Sequence, residues 1–267
     1  MTKRIDAMMP PVKEIFSEER RVSFDARAEA YDRIRPSYPE AAIDDILERS
    51  QAVRALEVGA GTGKATLAFA RCGLEVHALE PGANLAAILR AKSVGLPVTV
   101  EETTFEAFEG SDFDLVFSAQ AWHWTDPKTR YQKAHSVLRE GGSLALLMNE
   151  KAPMEQGLRD DFDAAYAKWY GWPAWDNDYL KKFADNWSAE IEGSNLFHDV
   201  VVTYVPWTQT YSSDDFIALL DTYSDHAVKP EEQKRGCYAD VKAAIDRRGG
   251  RCEIPYVTVG FFALRCD

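Results

Sequence analysis

Apolar and polar positions alternate along residues 52–148 with a rhythm of short strand-like runs and longer amphipathic stretches. Residues 52–58 read as a buried strand, followed by a helical stretch carrying Ala65, Leu67, Ala68, Phe69 and Ala70 and stopped near Gly73. Residues 75–79 predict a second strand, 83–92 a helix, 98–100 a third strand and 113–118 a fourth. A helix over 126–138 follows, with Asp126-Pro127 as its opening and Gly141-Gly142 as its end, then a fifth strand over 143–148. Strands alternating with helices in this way predict an α/β fold: a mostly parallel sheet with helices on both faces and right-handed crossovers. Upstream, Ala42, Ile43, Ile46 and Leu47 recur at helical spacing and predict a helix opening near Pro39 or Glu40. Residues 12–33 are loosely helical, with Phe16, Phe24, Ala28 and Tyr31 on one side, and end at Arg35-Pro36-Ser37-Tyr38-Pro39, whose two prolines forbid a continuous helix.

The rhythm breaks after Glu150. Residues 151–195 are rich in Trp, Tyr, Asp and Asn and predict helices interrupted at Gly171-Trp172-Pro173. The stretch is too short for a good core of its own, so it reads as a helical lid insertion. A strand over 197–205, helices over 214–223 and 230–247, and a last strand over 252–264 complete the pattern, with Gly260 expected to mark a bulge. The expected organisation is an N-terminal helical cap (1–40), a binding core (41–150), the lid (151–195) and a C-terminal part of the same sheet (196–267).

With 267 residues, 46% of them hydrophobic, the chain can bury a large core as one elaborated domain. The net charge of −12 supplies no positive footprint for a nucleic-acid duplex. Nothing at the start reads as an export signal and no apolar run is long enough to span a membrane, so a cytoplasmic protein is expected. Cys72, Cys237, Cys252 and Cys266 are far apart and have no His at zinc-ligand spacing, which predicts reduced thiols and no metal.

The chemistry concentrates at Glu57-Val58-Gly59-Ala60-Gly61-Thr62-Gly63-Lys64, where the first strand meets the first helix of the alternating region. Glycines there let the backbone approach a ligand, and the helix tip adds unpaired N–H groups. A triphosphate loop needs a longer spacing and a hydroxyl at position 65, where Ala65 stands. A dinucleotide fingerprint wants its third glycine where Lys64 stands. The loop instead has room for a compact nucleoside bearing a sulfonium, and Glu80, closing the second strand, is placed to accept ribose hydroxyls. Together these features point to S-adenosylmethionine, with an NAD-dependent oxidoreductase and a non-catalytic S-adenosylmethionine-binding regulatory protein as alternatives.

On these residues the sequence resembles the class I S-adenosylmethionine-dependent methyltransferases, in the branch called methyltransferase type 11 or domain 25. The segment from Glu57 to Gly63 resembles their first motif, Glu80 their acidic ribose ligand, residues 113–124 (FDLVFSAQAWHW) their fourth-strand motif, and Leu138-Arg139-Glu140-Gly141-Gly142 their Leu-Arg-Pro-Gly-Gly turn, with Glu140 in place of proline. The resemblance covers residues 20–150 firmly and 196–265 more loosely. It implies a Rossmann-like sheet of seven strands whose last runs antiparallel to the others, and an N-terminal segment that closes over the cofactor. The residues expected to bind cofactor are Tyr31, Arg35, Glu57, Gly59, Ala60, Gly61, Gly63, Glu80, Pro81, Thr104, Phe105, Ser118, Ala119 and Trp122. The acid usual after the third strand is not clearly placed, and Thr104 and Phe105 stand in for the adenine contact.

Methyl transfer from a sulfonium requires nucleophile and methyl held close and collinear, and a base only where the nucleophile must shed a proton. His123 is the candidate base, with a lining role as its alternative. Tyr38, Gln120, His123, Trp124, Trp169, Trp172 and Trp175 are expected at the acceptor, as an aromatic wall suited to a small molecule or as ordinary core packing. The expected partner is a small-molecule acceptor, with no nucleic acid and no membrane, and the chain acting as monomer or homodimer.

Overall fold

The computed structural model describes residues 32–267. Seven strands form one sheet: β1 (Arg54–Val58), β2 (Glu75–Leu79), β3 (Val98–Glu101), β4 (Phe113–Ala119), β5 (Leu138–Lys151), β6 (Phe197–Ser212) and β7 (Arg251–Arg265). Their order across the sheet is β3-β2-β1-β4-β5-β7-β6. Pairs within β3-β2-β1-β4-β5 are parallel, and β7 runs antiparallel to both β5 and β6. This is the mostly parallel α/β sheet expected from the strand–helix rhythm, with the seven strands and antiparallel last strand that the resemblance implies.

Alternate residues of each strand feed opposite faces, as the two-residue period of a strand requires. On one face Leu144, Leu146 and Met148 of β5 and Val259, Phe261 and Ala263 of β7 meet two helices. These are α4 (Arg130–Val137), through Tyr131, Ala134 and Val137, and α6 (Tyr179–Gly193), through Phe183, Trp187 and Ile191. On the other, Ala55, Leu115, Phe117, Ala145 and Leu147 meet α1 (Glu40–Ser50), α2 (Lys64–Arg71) and Leu89 of α3 (Ala83–Lys92). In α1, Pro39 precedes the first turn, Glu40 complements the helix dipole, and Ala42, Ile43 and Ile46 form the buried stripe.

The long antiparallel pair β6–β7 runs on past the shared sheet into a third cluster. There Tyr211, Cys252, Ile254 and Tyr256 pack with α5 (Gln156–Tyr170), α7 (Ser213–Asp221) and α9 (Glu231–Asp246), while the short α8 (Ser224–Ala227) lies between α7 and α9 in sequence. The segment read as one lid therefore divides: α5 joins the third cluster and α6 covers the sheet.

Several boundaries differ from those the sequence suggests. The helix expected from Asp126 starts at Arg130, because Asp126 caps a turn through Lys128 and Thr129. Strand β5 starts at Leu138 rather than 143, since Leu138 already pairs with Phe113 across a register shift. β6 continues to Ser212, well beyond Val205, because β7 supplies a partner along its length. Gly260 is no bulge. It sits in regular register opposite Leu147 and Thr203, and a Cβ there would lie 2.6 Å from the Thr203 hydroxyl.

Candidate active site

A cleft of about 780 Å³ opens at the carboxyl ends of β1, β2, β4 and β5. The connections leaving β1 and β4, which are neighbours, part there to opposite sides, and such a switch point is where open α/β sheets bind ligands.

The glycine loop forms its floor. Gly59 and Gly61 have φ of 73° and 57°, the left-handed region that suits glycine. A Cβ at Gly59 would sit 2.4 Å from that of Ala121, so the β1 and β4 loops touch only because position 59 has no side chain. A Cβ at Gly61 would meet nothing within 4 Å. The Gly61 N–H donates to Glu80 Oε2 at 2.7 Å, and the Gly82 N–H donates to Oε1 at the same distance. Glu80 is thus fixed one strand away from the loop by hydrogen bonds to both of its oxygens.

Glu57 lies beneath the loop, 1% exposed, accepting the Thr66 hydroxyl. Burial pushes its carboxyl up to about 8, against the Thr66 hydrogen bond, and nearby Glu80 adds to the rise.

Residues 32–38 are strapped across the cleft. Lys64 donates to the Asp32 carbonyl at 2.8 Å and Lys92 pairs with its carboxylate. Arg35 donates to the Thr222 carbonyl at 2.6 Å and stacks over Tyr223, and Asn149 donates to the Ser37 carbonyl at 3.0 Å. Arg35 and Tyr38 both line the cleft. Tyr31 lies outside the described residues.

At the end of β4, Gln120 holds a left-handed φ of 60° while its side chain donates to the Asn149 carbonyl at 2.8 Å. The 3₁₀ turn Trp122–Trp124 rotates successive side chains by about 120°. His123 and Trp124 therefore line the cleft, whereas Trp122 points away from it. Trp122 is fully buried between Phe105 and Tyr131, with ring centroids 5.7 and 5.6 Å away, and contributes to the core instead of the cofactor wall. His123 takes no hydrogen bond from the described residues; burial, aided by the charges of Arg130 and Arg35, pulls its imidazole down to about 4.

Of the other expected residues, Ala60, Pro81, Thr104, Phe105 and Ala119 line the cleft. Gly63 and Ser118 do not. Gly63 opens α2 where a Cβ would hit Leu89 at 2.3 Å, so it serves helix packing. Ser118 donates to the Val58 carbonyl at 2.8 Å and fastens β4 to β1 below the floor.

Trp169, Trp172 and Trp175 also lie off the cleft, each engaged by other partners. Trp169 covers Gly236 and donates to Asp240 at 2.7 Å. Trp172 packs on Tyr170 and His226, with centroids 4.8 and 5.2 Å away. Trp175 lies under Arg159 and against Tyr179. The aromatic wall is built instead by Tyr179, Phe183 and Trp187 of α6, joined by Tyr223. Glu150, two residues past the expected fifth strand, is also in the wall. Its position at a carboxyl strand end was the signal that could have singled it out.

The glycine loop and the strand-end carboxylate at the switch point both fall within the segment that resembles known methyltransferase domains. The comparisons agree: residues 56–146 match the type 11 methyltransferase-domain model. An uncharacterized methyltransferase of Mycobacterium tuberculosis is 41% identical over 133 residues, 49% of this chain and 53% of that protein. The chain thus spans about half the length of the first curated relatives it matches. A protein of Anaeromyxobacter dehalogenans assigned as a type II methyltransferase shares the fold, with a TM-score of 0.65 at 21% identity over 86% of this chain and 97% of that one. Phosphoethanolamine N-methyltransferase 2 of Haemonchus contortus, solved with phosphomonomethylethanolamine and S-adenosylhomocysteine, has a TM-score of 0.52 at 17% identity over 97% of this chain and 61% of that one. Among the described residues no helix is long and apolar enough to cross a membrane, and no acidic, Cys or His group could hold a metal.

Proposed function

We propose that this protein transfers a methyl group from S-adenosylmethionine to a small-molecule acceptor held in the same cleft. The Glu80–Gly61 hydrogen bond supports this reading most directly, because it sets a sugar-gripping carboxylate against a backbone floor with open space above Gly61. The bound cofactor would supply an already activated methyl group on sulfur. The Glu80 carboxylate would accept the ribose hydroxyls, and the Gly59–Gly61 backbone would meet the methionine portion. Arg35 is suited to the carboxylate and Thr104 and Phe105 to the adenine. The volume falls within the range of small-molecule sites, and α6 encloses the acceptor end with aromatic faces. The net charge of −12 favours neither RNA nor DNA as acceptor. One chain supplies the whole described cleft, so either a monomer or a homodimer could work.

Titration calorimetry tests the reading. Wild-type protein should bind S-adenosylmethionine and S-adenosylhomocysteine, and Glu80→Ala should lose most of that affinity. No binding to the wild type at about 1 mM ligand would overturn it.

A further inference from the structure

The acceptor end of the cleft has its own acid. Glu150 stands near the end of β5, where the Tyr179 hydroxyl donates to its Oε2 at 2.9 Å, and both residues line the cleft. No described residue donates to Oε1. Tyr179 is held in turn by a row of rings: Trp175, Phe183 and Trp187 follow one another at centroid spacings of 5.5, 5.9 and 6.4 Å along Trp175–Tyr179–Phe183–Trp187.

The charges facing this corner favour a cationic guest. Arg35 is engaged by the Thr222 carbonyl and the Tyr223 ring. Lys151 directs its ammonium over Tyr223 and Phe216, 4.9 and 5.6 Å from their centroids. His123 is neutral near pH 7. Asp225 adds a second carboxylate to the lining, and aromatic faces attract cations further.

Resting on the methyl-transfer reading above, we propose that Glu150, positioned by Tyr179, is the acceptor-binding carboxylate of this cleft, and that the acceptor is an amine presented as its ammonium on an apolar body. Glu150 also serves as the proton acceptor. An ammonium has no lone pair for attack, so one N–H proton passes to the Glu150 carboxylate. The freed nitrogen pair then forms the N–C bond to the methyl group while the C–S bond breaks onto sulfur. The products are a methylated ammonium and S-adenosylhomocysteine, and Glu150 releases its proton to water. Burial, opposed by the Tyr179 hydrogen bond and the Lys151 charge, holds this carboxyl up at about 7, a value suited to a base near neutral pH.

The test measures binding of benzylammonium, benzyl alcohol and benzoate, with and without S-adenosylhomocysteine. Wild-type protein should prefer benzylammonium, with affinity rising about five- to tenfold from pH 6 to pH 8 as Glu150 ionises. Glu150→Gln should lose about tenfold or more of that affinity while S-adenosylhomocysteine binds as before. Tyr179→Phe should move the pH midpoint upward, since it removes a bond that favours the carboxylate. The inference fails if benzylammonium does not bind at about 10 mM, if benzoate or the alcohol binds as well, or if Glu150→Gln changes nothing. Failure of S-adenosylhomocysteine to bind wild-type protein would instead overturn the cofactor reading. The amine preference remains readable without it.

Discussion

The Glu80 carboxylate accepts the backbone N–H of Gly61 at 2.7 Å, so the acid proposed to bind the sugar and the loop proposed to carry the rest of the cofactor are hydrogen-bonded to each other. Glu80→Ala leaves the N–H groups of Gly61 and Gly82 without their acceptor, at a cost of about 1–3 kcal/mol for each that stays buried. Cofactor affinity should fall at least tenfold in calorimetry, with the far-UV circular dichroism of the sheet retained.

Gly61→Val tests the loop from its other side. Space is open around a side chain at 61, but φ is 57°, and a β-branched residue there costs about 1–3 kcal/mol. The loop should relax away from Glu80. Binding should weaken strongly while the thermal midpoint drops only a few degrees, and unchanged affinity would argue against the loop as the cofactor's seat.

Glu57 makes stability depend on pH. Its folded value of about 8 lies above the ordinary carboxylate range, so the folded state keeps a proton that the unfolded chain releases. Stability from this group is present below about pH 4.5 and is lost as pH rises toward about 8. Replacement by Gln should flatten the decline in thermal midpoint between pH 5 and pH 8, and an unaltered slope would show that Glu57 ionises normally.

His123 is held down at about 4, so it is already neutral through the physiological range. A rate ionisation near pH 7 should therefore survive in His123→Ala, with turnover reduced by loss of lining contact. Disappearance of that ionisation in His123→Ala would return the base role to the imidazole.

Trp122→Ala separates core from cleft. The indole is fully buried against Phe105 and Tyr131, and its removal should destabilise the protein by about 3–5 kcal/mol, read in urea unfolding. A fully stable variant with selectively lost cofactor affinity would restore Trp122 to the cofactor wall.

The sequence by itself determined the repeating strand–helix order, the glycine loop and the acid closing the second strand. These are local facts: hydrophobic period names the element, and strand-end residues of a parallel sheet must gather along one edge. Which aromatics line the cleft was decided only by tertiary structure. Trp169, Trp172 and Trp175 look equivalent to Tyr179, Phe183 and Trp187 in composition. The first three lie off the cleft, Trp169 and Trp172 packed against partners on α9 and α8 and Trp175 beneath Arg159, while α6 turns the others toward the sheet. In the same way one 3₁₀ turn sends Trp122 inward and His123 outward. Side-chain direction depends on what packs across from it, and those partners lie up to about seventy residues away in the chain.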